Sequence, residues 1–139
     1  MKLSKEIRTE NTVFRLQENG IIESRLLNDE LERFSLEEVE EFVEGMHSLC
    51  ENEPYPMVSV MGDVHITDEG RKHILDNMRV SMAALVGSTF VARIMANLLI
   101  NFKPLPIPVK LFDDEASAYA WIQEMQRKQA LKRQKSSRA

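Results

Sequence analysis

The pattern of hydrophobic and polar positions near the amino terminus predicts two β-strands. Residues 11–17 (NTVFRLQ) and 21–27 (IIESRLL) are rich in apolar and β-branched residues, and Glu18-Asn19-Gly20 lies between them. An Asn-Gly pair between two such runs favours a hairpin, because both residues tolerate the positive φ that a type I′ turn requires. We therefore predict that the chain opens with an antiparallel β-hairpin.

A helical period begins near Ser35. Ser35 and Glu38 match the capping box, in which each side chain accepts a hydrogen bond from the backbone N–H of the other residue. Beyond Ser35, apolar residues recur every three or four positions, as they do on one face of a helix: Leu36, Val39, Phe42, Val43, Met46 and Leu49. These patterns predict a helix over about 35–51. The prolines of segment 53–56 (EPYP) end it, because proline lacks a backbone donor.

The remainder of the chain alternates short apolar runs with helical patterns. The predicted strands are 57–61, 80–86 and 109–112, and the predicted helices are about 67–78, 90–102 and from 113 or 114 through 125. The resulting order, β-β-α-β-α-β-α-β-α, places the later strands in parallel crossover units. We therefore predict an α/β fold, a single-domain mixed β-sheet with an N-terminal antiparallel hairpin followed by βαβ units and with helices flanking the sheet.

Length and charge distribution bound the domain organisation. With 139 residues, of which 43% are hydrophobic and 29% charged, the chain fits one globular domain. All 22 acidic residues precede Met125, whereas six of the 18 basic residues follow it. We expect residues 1–10 to be an N-terminal extension, 11–126 the domain, and 127–139 a basic tail that extends the last helix or is disordered. The acidic body argues against nucleic acid as the main ligand.

The single cysteine, Cys50, indicates a reducing compartment. One cysteine excludes an internal disulfide framework and a Cys-based zinc site, and its apolar position in a predicted helix is typical of an inert core thiol. Residues 1–11 (MKLSKEIRTEN) lack the apolar segment of a secretory signal. The apolar run 90–102 is shorter than the ~20 residues that a membrane span requires. We therefore expect a cytoplasmic protein with no membrane span.

The carboxyl-terminal third resembles a known family. Segment 86–122 reads VGSTFVARIMANLLINFKPLPIPVKLFDDEASAYAWI, and its most distinctive parts are Lys103-Pro104, Pro108, Lys110-Leu111-Phe112 and Ala120-Trp121-Ile122. Together with the element order over residues 12–125, this segment resembles the STAS-like family, bacterial relatives of the sulfate-transporter and anti-sigma-factor-antagonist domain. The resemblance implies a mixed sheet flanked by helices, no cofactor, and work done through protein contacts. Many members of this branch have no assigned activity, so the resemblance conveys a fold better than a function.

The same resemblance points to the start of the second helix of the crossover units. In the antagonist branch, a serine within a short Asp-Ser-Ser-Gly segment at this place is phosphorylated by a partner kinase. Aligning the glycine places Thr67-Asp68-Glu69-Gly70 on that segment. Asp68 stands where the phosphoserine would be and Glu69 replaces the neighbouring serine, so the phosphorylation does not carry over. If the surface is still used, its acidic residues keep it permanently charged.

Segment 62–70 (GDVHITDEG) concentrates polar residues between a predicted strand and that helix. Thr67 suits a helix N-cap, and Asp68 and Glu69 in the first turn interact favourably with the helix dipole. Asp63 suits a turn after the strand, which leaves only His65 without a structural role. Our first hypothesis is that this loop and the helix start form one exposed surface that binds a protein partner. Its residues are His65, Thr67, Asp68, Glu69, Arg71 and Lys72.

A second hypothesis concerns a crevice at a strand-to-helix junction. Gly87, Ser88 and Thr89 would present amides and hydroxyls to a small anion or to a lipid, since ligand crevices in such sheets lie at the carboxyl ends of strands. The apolar helix predicted over 90–102 has more hydrophobic residues than one face of a surface helix needs. We therefore expect a homodimer formed through this helix or through the edge hairpin.

A third hypothesis is an enzyme or a metal site built on Asp63, His65 and Asp68. The spacing of these residues matches no recognised metal motif. The sequence also lacks a nucleophile elbow, a Gly-rich phosphate loop with its lysine and an HExxH motif. We therefore expect a non-catalytic protein that binds no metal or other cofactor.

Overall fold

The fold is built on one mixed β-sheet. The computed structural model describes residues 3–27, 33–51, 53–60, 65–77, 79–87 and 107–137. The strands are β1 (Leu3–Arg8), β2 (Thr12–Gln17), β3 (Ile22–Leu26), β4 (Arg33–Phe34), β5 (Met57–Val60), β6 (His65–Ile66), β7 (Ala83–Val86) and β8 (Val109–Phe112). Six of them form the main sheet in the order β1-β2-β3-β5-β7-β8, while β4 and β6 pair with each other.

Strand direction divides the main sheet into two halves. β1, β2 and β3 pair antiparallel, whereas β3, β5, β7 and β8 run parallel to one another. The described helices are α1 (Leu36–Leu49), α2 (Asp68–Asp76) and α3 (Glu115–Ser137). The predicted fold class, a mixed α/β sheet with an antiparallel hairpin followed by parallel units, is confirmed.

The hairpin between β2 and β3 closes differently from the predicted type I′ turn. The Gly20 N–H donates to the Gln17 carbonyl at 2.9 Å, and the Gln17 N–H donates to the Ile21 carbonyl at 3.2 Å. Gly20 has a φ of 80°, in the left-handed region that favours glycine. The loop is therefore three residues long, a tight turn followed by a glycine in the left-handed conformation.

Residues on both sides of the predicted domain form secondary structure, and at the carboxyl end this matches the helix-extension alternative. The predicted N-terminal extension, residues 1–10, contributes β1, whose residues 3–8 pair with β2 at the edge of the sheet. The segment LSKEIR is too polar to be recognised as a strand from its sequence. It forms a strand because it pairs with β2, and strand formation depends on such pairing more than on local preference. At the other end, α3 continues through the basic tail to Ser137. The helix predicted over 90–102 lies outside the described residues.

Apolar side chains are buried on both faces of the sheet. Ala83 of β7 packs in a cluster with α1, whereas its neighbour Ala84 packs in a cluster with α3, as the two-residue period of a strand requires. The α1 cluster contains Phe14, Ile22, Val39, Phe42, Val43, Met46, Leu49, Cys50, Met57, Val80 and Ala83. The α3 cluster contains Ile21, Val58, Met82, Ala84, Val86, Ala118 and Ile122.

Two glycines allow α1 to pack closely on both its neighbours. A Cβ on Gly45 of α1 would lie 2.6 Å from Cε2 of Phe14 in β2, so a side chain here would push the helix away from the sheet. A Cβ on Gly70 of α2 would lie 2.9 Å from Cγ2 of Val39 in α1. Gly45 and Gly70 are both buried, and their missing side chains fix how α1 sits between the sheet and α2.

Replacing Gly70 with alanine should destabilise the protein, although alanine normally favours a helix. The added Cβ meets the fully buried Val39 and the Thr67 cap, so the unfolding free energy should fall by about 1–3 kcal/mol, as overpacking does. Urea unfolding measures the change. The Val39→Ala, Gly70→Ala double variant should lose less than the sum of the two single losses. A Gly70→Ala protein as stable as wild type would contradict this packing.

A polar network links α3 to the antiparallel half of the sheet. Tyr119 of α3 donates its hydroxyl hydrogen to Glu23 of β3 at 3.2 Å and accepts one from Gln17 of β2 at 2.9 Å. Arg25 of β3 forms ion pairs with Glu23 of the same strand and with Glu115 of α3. Burial, together with the negative charge of Glu23, raises the pKa of Tyr119 to about 12. This network orients the first turns of α3 on the sheet.

The high pKa of Tyr119 predicts a late ionisation. The folded protein favours the neutral phenol, so its contribution to stability is present below pH 10 and is lost as the pH rises towards about 12. The chain has two tyrosines, and phenolate absorbance should show that one of them ionises near pH 12. The Tyr119→Phe variant should lack this step, and only the ionisation of Tyr55 should remain. Ionisation of both tyrosines near pH 10 in the folded wild type would contradict the network.

Candidate functional site

Two helices begin side by side at the candidate site. β4 and β6 are parallel, with Arg33 opposite His65 and Phe34 opposite Ile66. Ser35 follows β4 and caps α1, and Thr67 follows β6 and caps α2. Because the two strands are paired in register and each leads at once into a helix, the amino termini of α1 and α2 lie next to each other.

Both helix starts have side-chain capping contacts, although that of α1 is only part of the predicted box. The Ser35 N–H donates to the Glu38 carboxylate at 3.1 Å, which is one half of the capping box. Thr67 Oγ1 accepts from the Gly70 N–H at 3.2 Å. An N-cap of this kind contributes about 1 kcal/mol to helix stability. The polar residues at the start of α2 therefore have a structural role of their own.

The adjacent helix starts enclose an open groove of about 650 Å³, here called the α1–α2 groove. Its lining residues are Ser35, Leu36, Glu37, Glu40, Thr67, Asp68 and Glu69. Leu36 is partly exposed and supplies apolar surface, while the four acidic residues are exposed at the rim. The groove thus combines one partly exposed leucine with four exposed acidic residues.

The carboxylates of the groove are mostly available to a partner. The Asp68 side chain is 90% exposed and forms an ion pair with Arg71, one turn along α2. Within the described part of the chain, no ion pair is recorded for Glu37, Glu40 or Glu69. Their mutual repulsion is offset in part by the positive ends of the two helix dipoles that meet here.

The structure brings only part of the predicted partner surface into the groove. Thr67, Asp68 and Glu69 line it, and Asp68 and Glu69 are exposed, as that hypothesis requires. Arg71 is partly buried beside Asp68, and the exposed Lys72 lies outside the lining residues. The backbone of His65 lies in β6.

Half of the groove was missed by sequence reasoning. Ser35, Leu36, Glu37 and Glu40 come from α1, which was predicted as a helix but not as part of a site. Both helices begin with a hydroxyl cap followed by acidic residues, and this shared pattern was the available signal. The pairing of β4 with β6 joins the two starts, and strands of two residues carry no recognisable period.

The other candidate residues fall elsewhere. Gly87 lies at the carboxyl end of β7, and its N–H donates to the Phe112 carbonyl at 3.3 Å, so this amide already has an acceptor. Ser88, Thr89 and Asp63 lie outside the described residues. Cys50 is 5% exposed, and burial raises the pKa of its thiol, as expected for an inert core cysteine.

Two further properties follow from the described residues. No group of three or more His, Cys, Asp or Glu side chains among them is arranged to hold a metal ion. None of the helices within these ranges is long and apolar enough to span a membrane.

Two solved structures are similar to this chain. One is an uncharacterized protein from the DUF3478 family with a SpoIIAA-like fold, from Shewanella loihica PV-4; it has a TM-score of 0.49 and 13% identity, over 84% of this chain and 90% of that chain. Another is a protein with unknown function from Arthrobacter sp. FB24, with a TM-score of 0.30 and 27% identity, over 84% of this chain and 95% of that chain.

A family model gives the assignment of the chain. No curated protein matches it. The model described as a domain of unknown function, DUF7793, matches residues 14–126, which include most of β2, all of β3 to β8, α1, α2 and the first half of α3. The chain therefore belongs to the DUF7793 family.

Proposed function

We propose that this chain is a non-catalytic, STAS-like interaction module that binds a basic segment of a partner protein in the α1–α2 groove. The observation that carries the proposal is the meeting of two capped helix starts around an apolar lining with four exposed carboxylates. The STAS-like resemblance of the sequence supports it, since work through protein contacts is what that resemblance implies.

The chemistry of the groove favours a basic ligand of protein size. A small anion is a poor ligand, because the rim carries Glu37, Glu40, Asp68 and Glu69. A segment with lysine or arginine side chains around an apolar residue would match both the rim and the contact surface of Leu36. Exposed ion pairs add little affinity each, so the charges would mainly steer and orient the partner while the apolar contact adds affinity.

The groove also suits a module that recognises a partner without large rearrangement. Its walls are helix starts held by side-chain caps and by the close packing at Gly70, so the carboxylates are presented on rigid elements. A preorganised surface loses little conformational entropy on binding. Because exposed charges orient the partner, binding should be sensitive to salt.

Neutralising the net charge of the groove should abolish partner capture. We would immobilise wild type and the Asp68→Lys, Glu69→Lys variant and compare the proteins that each retains from lysate of the source organism. Proteins bound through the groove should be retained by wild type, released by about 1 M salt because charge attraction is then screened, and lost with the variant. Circular dichroism and urea unfolding establish that the variant is folded.

A charge-matched control separates the groove from general electrostatics. Glu18→Lys, Asp113→Lys makes the same change of net charge at exposed residues outside the groove. This variant should retain the same proteins as wild type. If the groove variant also retains them, or if the control loses them equally, the groove is not the recognition surface and the proposal fails.

A further inference from the structure

The carboxyl-terminal half of α3 extends beyond the core that anchors the helix. Ala118 and Ile122 are fully buried against the sheet, and Met125 packs at the margin of the same cluster. Over residues 127–134, every side chain except that of Gln129 is exposed. The extension therefore presents most of its surface to solvent or to a partner.

One side of this extension faces the body of the protein. Gln126, Gln129, Ala130 and Arg133 line a cavity whose opposite wall includes Tyr55. With about 3.6 residues per turn, Arg127, Lys128, Leu131 and Lys132 fall on the other side of the helix. We call these four residues the basic face of α3. All four are exposed.

Leu131 makes the basic face more than a solvated run of charges. Leu131 is 46% exposed, Lys128 lies one turn before it on the helix, and Lys132 is the next residue. Arg127 is already paired with Glu124 at 2.6 Å, which leaves the two lysines as the charges available to a partner. An exposed leucine beside two exposed lysines is the complement of a groove that is lined by one leucine and four acidic residues.

We propose that the basic face of α3 binds the α1–α2 groove of a second copy of the chain, with Leu131 against Leu36 and the lysines at the acidic rim. This inference rests on the proposed function, because it names the partner of the same groove. Charge complementarity carries it: the groove contributes four exposed carboxylates and the basic face two exposed lysines. The basic face is present at the same concentration as the groove that it binds, because both belong to the same chain.

The two surfaces cannot meet within one chain. α1 and α3 pack on opposite faces of the sheet. The groove lies where β4 and β6 lead into their helices, whereas the extension of α3 lies beside Gly20, Pro56 and Ser81, which precede β3, β5 and β7. The contact therefore joins two copies of the chain. It is heterologous, because each copy contributes a different surface. A contact of this kind leaves one groove and one basic face free at the ends, so association continues until a ring closes.

Sedimentation velocity of the full chain tests the inference. At about 0.1 M salt the average mass should rise with concentration above the 16.0 kDa monomer, and about 1 M salt should reverse the rise. Lys128→Glu, Lys132→Glu should weaken association at least roughly tenfold, because two attractions become repulsions. Lys5→Glu, Arg79→Glu, an equal charge change at exposed residues elsewhere, should associate like wild type.

Mixing two variants that do not associate alone gives the most decisive test of the inference. Lys128→Glu, Lys132→Glu has an acidic α3 and an acidic groove, and Asp68→Lys, Glu69→Lys has a basic α3 and a groove in which two lysines balance Glu37 and Glu40. Neither should associate alone, but an equimolar mixture should, because the basic α3 of the second variant then meets the acidic groove of the first. If the groove variant does not fold, Glu40→Lys replaces it, since Glu40 lies beyond the capped first turn of α1.

A matched pair of leucine variants tests the apolar contact. Leu131→Ser should weaken association, whereas Leu27→Ser, at a leucine that is 43% exposed outside both surfaces, should not. A wild type that stays monomeric at about 0.1 M salt, or a mixture that fails to associate, overturns the inference. The proposed function would then still stand if the Asp68→Lys, Glu69→Lys variant fails to retain the lysate proteins that wild type binds. It fails together with the inference if that variant retains them.

Discussion

The close approach of α2 to α1 at Gly70 is the constraint on which the candidate site depends. With 2.9 Å between Val39 Cγ2 and the place of a Cβ, even the smallest side chain would separate the two helices. Gly45 imposes the same closeness between α1 and Phe14 in the sheet. α1 is thus held on two sides, and the starts of both helices are brought to one edge. The groove is a result of backbone packing, and its side chains only line it.

The acidic residues of the groove stabilise the helix starts, and in the proposed function they also bind the partner. Asp68 and Glu69 lie in the first turn of α2, and Glu37 in that of α1, where each interacts favourably with the helix dipole by about 0.3–1 kcal/mol. That role explains why acids stand here, but it does not require two such helix starts to be adjacent. Adjacency concentrates like charges at an exposed groove, and a basic partner relieves their repulsion. The structural role therefore leaves the binding role intact.

The sequence was informative where a pattern repeats over many residues and uninformative where pairing decides. The helix from Ser35, the parallel strands and the β2–β3 hairpin were predictable from period and capping. β1 was not, because LSKEIR has a polar pattern that becomes a strand only beside β2. The groove was half predicted for a similar reason: Thr67, Asp68 and Glu69 carry a local signal, whereas the α1 wall depends on the two-residue pairing of β4 with β6.

The extension of α3 shows how far helix stability alone accounts for the tail. Residues 126–134 (QRKQALKRQ) have high helix propensity, the Glu124–Arg127 pair adds support, and cations near the carboxyl end suit the helix dipole. These terms explain why the helix continues past its buried half. They do not require a leucine at position 131, because other strong helix formers would serve equally well there. In the proposed association, the acidic groove of another copy would cover Leu131.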